Sequence, residues 1–354
     1  MEQYQVITDR KIKVGIVGCG RISINHFKSI EIHNDSIELV GVCDNDINVL
    51  KRHIIDYKVN GYVEFEEMLK AENLDVVVIC TPSGLHAEQT ILAAKYKVNV
   101  LCEKPMSTDW NDGIKMVESC RKNRVRLFIV KQNRRNTTLQ LLKKAIEENR
   151  FGIIHMVNIN VFWTRPQEYY DQAPWRGTWS LDGGAFMNQA SHYVDLLDWL
   201  IGPVSEVHAF SSTTRKIEAE DTGVLNIKWK NGTLGSMNVT MLTYPKNYEG
   251  SITIIGRDGT VKIGGIAVNQ IEHWEFKDSR EYDQEINDSS YETTSVYGFG
   301  HPLYYKNFIE SMRGEASPET DGEEGLKSLE LIIAAYNSAK NEQVVKLPLP
   351  FKSH

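Results

Sequence analysis

Three short clusters in this 354-residue chain carry residue types that could do chemistry. The first is Gly18-Cys19-Gly20-Arg21-Ile22-Ser23. Gly18 permits a tight turn, and Gly20 removes the Cβ that would block a diphosphate. A helix opening at Arg21 and Ile22 would aim its N–H groups and positive dipole end at that anion. The second is Glu103-Lys104-Pro105, an acid and a cation side by side. The third is Asn188 and His192, whose spacing of four predicts two side chains on one helical face. A fixed cation, an amide and an imidazole are groups that can move or hold a proton.

The first cluster gains weight from what surrounds it. An apolar run over 11–18 precedes it, and Asp44 ends the next run, 44 − 23 = 21 positions past Ser23. That is close to the ~20 of the dinucleotide fingerprint. A carboxylate at Asp44 can accept both ribose hydroxyls and would repel a 2′-phosphate, which favours NAD over NADP. Lys51 and Arg52 follow within reach of a phosphate and leave NADP as the alternative. Thr81-Pro82-Ser83-Gly84-Leu85-His86 follows a third run, where Pro82 ends the strand and Ser83 can cap the next helix. His86 is the residue there that a capped turn does not explain.

The elements that must position these groups are legible. Residues 37–44, 75–80, 98–102 and 125–130 read with 11–18 as continuous apolar strands. Helical segments over 21–32, 64–70, 85–96 and 109–122 separate them. This alternation predicts an α/β class with an N-terminal Rossmann domain, a parallel sheet covered on both faces, over 1–130. Beyond it, 157–163, 204–210, 224–229, 251–256 and 259–264 read as strands, with hairpin turns at Asn231-Gly232 and Asp258-Gly259. Late helices fall over 303–312 and 322–340.

Composition narrows the function classes. Forty Lys+Arg against 47 Asp+Glu leave a net charge of −7, contrary to a nucleic-acid binder. No run approaches the ~20 apolar residues of a membrane span, and residues 1–11 lack the apolar core of a secretory signal. The five cysteines, Cys19, Cys43, Cys80, Cys102 and Cys120, are odd in number and have no C-x-x-C spacing, as for free buried thiols in a reducing cytoplasm. No metal-ligand spacing is apparent.

G-C-G-R-I-S, T-P-S-G-L-H and E-K-P, in that order, resemble the glucose–fructose oxidoreductase/inositol dehydrogenase/MocA family. Gln132-Asn133-Arg134-Arg135 and Gly183-Gly184-Ala185 before Asn188 and His192 extend the likeness over nearly the whole chain. The resemblance implies a second α/β domain, 131–354, with a large, open, mostly antiparallel sheet that binds substrate and builds dimers or tetramers. It implies that Lys104 lies beside the nicotinamide and the reacting hydroxyl. The cofactor contacts it implies come from Gly18, Gly20, Arg21, Ile22 and Asp44, from Thr81, Pro82, His86, Glu103 and Lys104, and from Gln132, Trp163 and Arg165. The family more often carries aspartate where Asn188 stands; asparagine can orient a hydroxyl or an ammonium but cannot be a base.

Within the family, W-x-R-x-x-x-Y-Y, W-R-G-T-W and G-G-A-F-M-N-Q-x-x-H-Y-V-D-L-L, between Trp163 and Val204, resemble one branch. That branch comprises the UDP-N-acetyl-glucosaminuronate dehydrogenases of bacterial lipopolysaccharide O-antigen synthesis, which oxidise the sugar C3 hydroxyl and feed an aminotransferase. Asn188 is what the branch would carry. The implied substrate contacts are Lys104, Asn133, Arg134, Arg165, Tyr169, Arg176, Asn188, Gln189 and His192. Arginines suit a diphosphate and a carboxylate, and Trp163, Trp175 and Trp179 could wall a ring face. Relatives of the branch keep NADH bound and recycle it with 2-oxoglutarate, a candidate second partner. Open at this level are whether His192 or Lys104 is the base and whether the substrate is instead inositol or another free sugar. A non-catalytic NAD-binding sensor is the reading from a different class.

Overall fold

The computed structural model describes residues 4–293 and 300–350. Contacts divide the chain into two compact units, residues 1–131 with 301–329 and residues 132–300 with 330–354. The return of 301–329 to the first unit differs from the expectation that 131–354 forms one block.

The first unit is built on β1 (Ile12–Val17), β2 (Ile37–Cys43), β3 (Asn60–Tyr62), β4 (Val76–Ile79), β5 (Asn99–Cys102) and β6 (Leu127–Ile129). They form one sheet in the order β3-β2-β1-β4-β5-β6, and every neighbouring pair is parallel. Helices α1 (Ser23–Ile32), α2 (Ile47–Tyr57), α3 (Phe65–Ala71), α4 (His86–Lys95) and α5 (Trp110–Asn123) connect them. All four residues of β4 are fully buried, which is why that stretch reads as unbroken Val and Ile rather than alternating. The order reverses between β1 and β4, so the fingerprint after β1 and Thr81 after β4 flank the switch point where such sheets bind ligands.

The second unit contains α6 (Thr137–Glu147), β7 (Ile154–Phe162), α7 (Gln167–Asp171), α8 (Ser191–Ile201), β8 (Val204–Ser212), β9 (Thr222–Trp229), β10 (Leu234–Thr240), β11 (Glu249–Gly256), β12 (Gly259–Gly264), β13 (Gln270–Phe276) and α9 (Ile286–Ser289). After α10 (Gly300–Met312) and α11 (Gly322–Asn341), β14 (Val345–Lys346) completes an eight-stranded sheet, β13-β12-β11-β7-β10-β9-β8-β14. Among the described residues of this sheet, only β7 and β10 pair in parallel. The expected hairpins join β9 to β10 and β11 to β12. In β9, Leu225, Ile227 and Trp229 are buried while Val224, Asn226 and Lys228 are exposed, the alternation of a sheet covered on one face.

The return of α10 to the first unit has a packing cause. Tyr304, Tyr305, Phe308, Ile309 and Met312 join Phe128, Val130 and the β1 and β4 side chains in one core. The second domain expected from strands alone could not anticipate that its late helix seals the first.

Candidate active site

In the first unit the dinucleotide cradle follows from backbone sterics. Gly18 has φ +85°, and a Cβ on it would lie 2.7 Å from Thr81 N and 2.8 Å from the Cys80 carbonyl carbon. The β1 turn therefore approaches the end of β4 more closely than any other residue allows. A Cβ on Gly20 would meet nothing within 4 Å, so the space a diphosphate needs there is open. Ser23 is fully buried and donates its hydroxyl to Gly20 O at 2.6 Å, closing the turn onto α1. No side chain caps the α1 N-terminus, which leaves that end suited to an anion. Arg21 and Ile22 stand at this opening, exposed and half-buried.

Asp44 is held rather than dangling. Its Oδ2 accepts Cys19 N–H at 2.7 Å and its Oδ1 accepts Asp46 N–H at 2.8 Å. Each carboxylate oxygen keeps acceptor capacity for a ribose hydroxyl. Open space at Gly20 and a fixed acid at Asp44 fit NAD.

His86 braces the loops after β4 and β5. Its Nδ1 lies 2.9 Å from Pro105 O and its Nε2 2.9 Å from Thr81 O. Burial lowers its pKa against those two carbonyls. Ser83 is the first residue of a short 3-10 turn and caps no helix, unlike the sequence expectation. Thr81 donates its hydroxyl to Gln89 at 2.6 Å, and Pro82 is half-buried beside it.

Glu103 is 3% exposed beside half-buried Lys104. Its Oε1 lies 2.9 Å from His26 Nε2 and 3.4 Å from His301 Nε2, and its Oε2 accepts Lys104 N–H at 3.1 Å. Tyr305 Oη is 2.8 Å from the other His26 nitrogen. Among the described residues, His26, Glu103 and His301 form a set whose ligating atoms lie within 4.8 Å of one another. Hydrogen bonding accounts for that spacing, because an ionised carboxylate can only accept and both imidazoles can donate to it.

In the second unit, a 3-10 turn over Gln132–Arg135 faces α8. Gln132 Nε2 and His192 Nε2 are 2.9 Å apart, and both side chains are buried. Three residues along α8, Asp195 takes Arg134 in a bidentate pair, both contacts at 2.7 Å. Arg134, expected on substrate, is thus matched by a buried carboxylate. Among the described residues, the side-chain oxygens of Gln132 and Asn133 are buried without a protein partner, two acceptors suited to a bound donor.

Asn188 and His192 do not share one α-helical face. Residues Ala185–Gln189 form a π-turn, closed by Ala190 N–H to Ala185 O at 2.8 Å, and α8 begins only at Ser191. The cause is a clamp on the backbone. Tyr336 Oη accepts Gly184 N–H at 3.3 Å and Met187 N–H at 3.2 Å, and donates to Glu220 Oε1 at 3.0 Å. That oxygen also accepts Phe186 N–H at 2.9 Å. A Cβ on Gly184 would collide with the Glu220 carboxyl, which explains the second glycine of Gly183-Gly184. Asn188 Nδ2 donates to Asp182 Oδ1, and Gln189 is buried behind it.

The remaining expected residues lie on the segment after β7. Trp163 is 3% exposed, donates its indole N–H to Ile266 O at 3.0 Å, and packs edge-on against Tyr193. It is a core residue of this unit. Arg165 lies over the Trp163 and Tyr169 rings at 5.5 and 5.3 Å, and Arg176 over the Tyr169 and Trp175 rings at 4.3 and 5.4 Å. Guanidinium and aromatic groups thus alternate, holding two cations in fixed positions. Trp179 is largely exposed, its ring edge-on to Tyr336.

Sequence reasoning passed over His26, His301, Tyr305, Asp182, Glu220 and Tyr336. His26 alone had a local signal, three residues past Ser23 on the helix the fingerprint opens. Asp182 lies only six residues before Asn188 but gave no signal of its own, and the others come from distant segments.

A doubly wound sheet with an open glycine cradle, a held acid at the end of β2 and a lysine at the end of β5 defines a nicotinamide-dinucleotide-dependent oxidoreductase. Residues 12–131 match the model of the oxidoreductase family's NAD-binding Rossmann fold, and 143–347 that of its C-terminal alpha/beta domain. The chain belongs to the glucose–fructose oxidoreductase/inositol dehydrogenase/MocA oxidoreductase family. It is 58% identical to the WlbA dehydrogenase of Chromobacterium violaceum, crystallised with NADH and UDP-GlcNAcA, with a TM-score of 0.95 over 99% of this chain and 100% of that one. The Bordetella pertussis WlbA dehydrogenase, also in complex with NADH and UDP-GlcNAcA, is 57% identical, with a TM-score of 0.95 over 97% and 100%. The myo-inositol 2-dehydrogenase of Thermotoga maritima is 27% identical over 95% of this chain and 98% of its own length.

Proposed function

We propose that this chain oxidises the C3 hydroxyl of UDP-N-acetyl-glucosaminuronic acid to a ketone with NAD, an early step in making lipopolysaccharide O-antigen sugars in the bacterial cytoplasm. The observation that carries the reading is the 58% identity, over nearly the full chain, to a dehydrogenase crystallised with NADH and that nucleotide sugar. The 27% likeness to an inositol dehydrogenase is far weaker. The active form in this reading is a homodimer or homotetramer.

NAD, when bound, supplies the carbon that accepts the hydride. Gly18, Gly20, Arg21 and Ile22 receive its diphosphate, and Asp44 its ribose hydroxyls. Lys104 steadies the developing alkoxide by a charge-assisted hydrogen bond. His192 takes the hydroxyl proton, and Asn188 orients the hydroxyl. Arg165 and Arg176, fixed on Tyr169, receive the anionic groups of the substrate, with Asn133 and Gln189 as further polar contacts.

The test is incubation with UDP-N-acetyl-glucosaminuronate and NAD, followed by NADH absorbance and, in parallel, by 2-hydroxyglutarate formed from added 2-oxoglutarate. Keto-sugar made by either route supports the reading. Turnover of myo-inositol or glucose but not of the UDP-sugar would replace it with the free-sugar alternative, and tight NAD binding without any turnover with the sensor alternative.

A further inference from the structure

We infer that Asp182 is a positioning residue that sets which end of the Asn188 amide meets the reacting hydroxyl. The inference rests on the reading above, in which Asn188 contacts that hydroxyl.

Asp182 is 1% exposed, at the start of the Gly183-Gly184 turn. Its Oδ2 accepts Gly177 N–H at 2.7 Å, and its own N–H donates to Thr178 O at 3.1 Å. Oδ1 accepts from Asn188 Nδ2. The carboxylate is therefore tied to the loop on one side and to the Asn188 side chain on the other.

An asparagine amide has two ends of nearly equal size, and nothing in its shape selects one. A carboxylate selects, because it has no proton to give. Reversing the Asn188 amide would set its oxygen against Asp182 Oδ1, two acceptors face to face in a buried place. The nitrogen is thus committed to Asp182, which in the reading above makes the oxygen the end of the amide that serves the reacting hydroxyl. Donation to a carboxylate also polarises the amide and strengthens its oxygen as an acceptor. An acceptor is what a substrate O–H or an ammonium needs beside it.

The experiment separates this role from simple support of the loop. In Asp182→Asn the new side-chain oxygen still accepts Gly177 N–H. Its NH2 now faces Asn188 and draws that amide into the reversed orientation. Turnover of UDP-N-acetyl-glucosaminuronate should fall about tenfold or more, the scale of one misdirected hydrogen bond in a transition state. NADH affinity and thermal midpoint should stay near wild type. In an Asn188→Ala background, Asp182→Asn should cost nothing further. The exchange Asp182→Asn with Asn188→Asp keeps one carboxylate and one amide in contact and still presents an oxygen, so turnover should recover above that of Asp182→Asn alone.

Unchanged turnover in Asp182→Asn, or the same loss with and without Asn188, would overturn the inference. If Asp182→Asn does not fold, the exchanged pair decides: measurable turnover supports the inference, and a folded but inactive protein overturns it. Full activity of Asn188→Ala alone would instead remove Asn188 from the reaction, a failure of the underlying reading visible before Asp182 is touched.

Discussion

His26 Nε2 donates to Glu103 Oε1 across 2.9 Å, in a place where both side chains are buried and the next residue is Lys104. Burial alone would push the Glu103 carboxyl up. The hydrogen bonds from His26 and His301 outweigh it and hold the group well below its ordinary 4.5. Such a carboxylate stabilises the fold above that ordinary value, and the contribution is lost as pH falls through the depressed one. Glu103→Gln puts an NH2 where Oε2 accepted the Lys104 backbone N–H, so two donors meet. The variant should lose about 2–4 kcal/mol in urea unfolding at neutral pH. Its turnover should fall because the Lys104 backbone has lost its anchor. Equal urea midpoints for variant and wild type would show that the pair is dispensable.

Lys104→Ala should lose at least about a hundredfold in turnover, the scale of one oxyanion-type donor, with NADH still bound. The base question needs a second variant. His192 Nε2 is committed to Gln132, so proton transfer at His192 falls to Nδ1. As placed, Gln132 Nε2 donates to His192 Nε2 and leaves the imidazole proton on Nδ1, so a basic His192 requires the Gln132 amide to turn its oxygen to Nε2–H. Gln132→Glu would enforce that tautomer and favour the charged imidazole, so the acid limb of the pH–rate profile should move to higher pH if His192 is the base. A pH–rate profile whose acid limb stays in place would move the base role to Lys104.

In the proposed function Asp44 serves the cofactor and the loop together. Its Oδ2 holds Cys19 N–H inside the fingerprint, and the same carboxylate would accept the ribose hydroxyls. Asp44→Ala should weaken NADH binding about tenfold or more, the worth of a charge-assisted hydrogen bond, measured by fluorescence titration. The same variant should narrow the preference for NADH over NADPH, since the repulsion of a 2′-phosphate is gone. Unchanged affinity for both would remove Asp44 from the ribose.

The parts legible in the sequence were those set by local rules. Strand, glycine turn, helix and acid follow one another within about thirty residues, and each step has its own residue signature. The hairpins at Asn231-Gly232 and Asp258-Gly259 were readable for the same reason. What escaped is non-local. The α-helical spacing from Asn188 to His192 failed because Glu220 and Tyr336, from the segment just before β9 and from α11, impose a π-turn on 185–189. Arg134 looked like a ligand for an anion until Asp195, sixty-one positions away, was placed against it. His301 reads as one more helix residue until it meets Glu103. Periodicity cannot see a partner that lies elsewhere in the chain.

The Glu220–Tyr336 clamp carries the last prediction. Glu220 is 2% exposed, and burial raises its carboxyl from 4.5 to about 7 against the hydrogen bonds from Phe186 N–H and Tyr336. Between those values the folded chain keeps a proton that the unfolded chain has released. Its contribution to stability is therefore full below about 4.5 and is lost as pH rises through about 7, a change of about 3 kcal/mol at most. His86 and His301, both lowered by burial, work the other way, since stability falls as the unfolded chain takes up protons below 6.5. Both histidines are common to wild type and Glu220→Gln, so their effects cancel in the difference. Urea midpoints for the two proteins at about pH 5 and about pH 8 should diverge in favour of Glu220→Gln at the higher pH. The glutamine oxygen can still accept from Phe186 N–H and Tyr336, so the π-turn and the placement of Asn188 should survive the exchange. Stability curves that run parallel across that range would mean Glu220 does not hold a proton near neutrality.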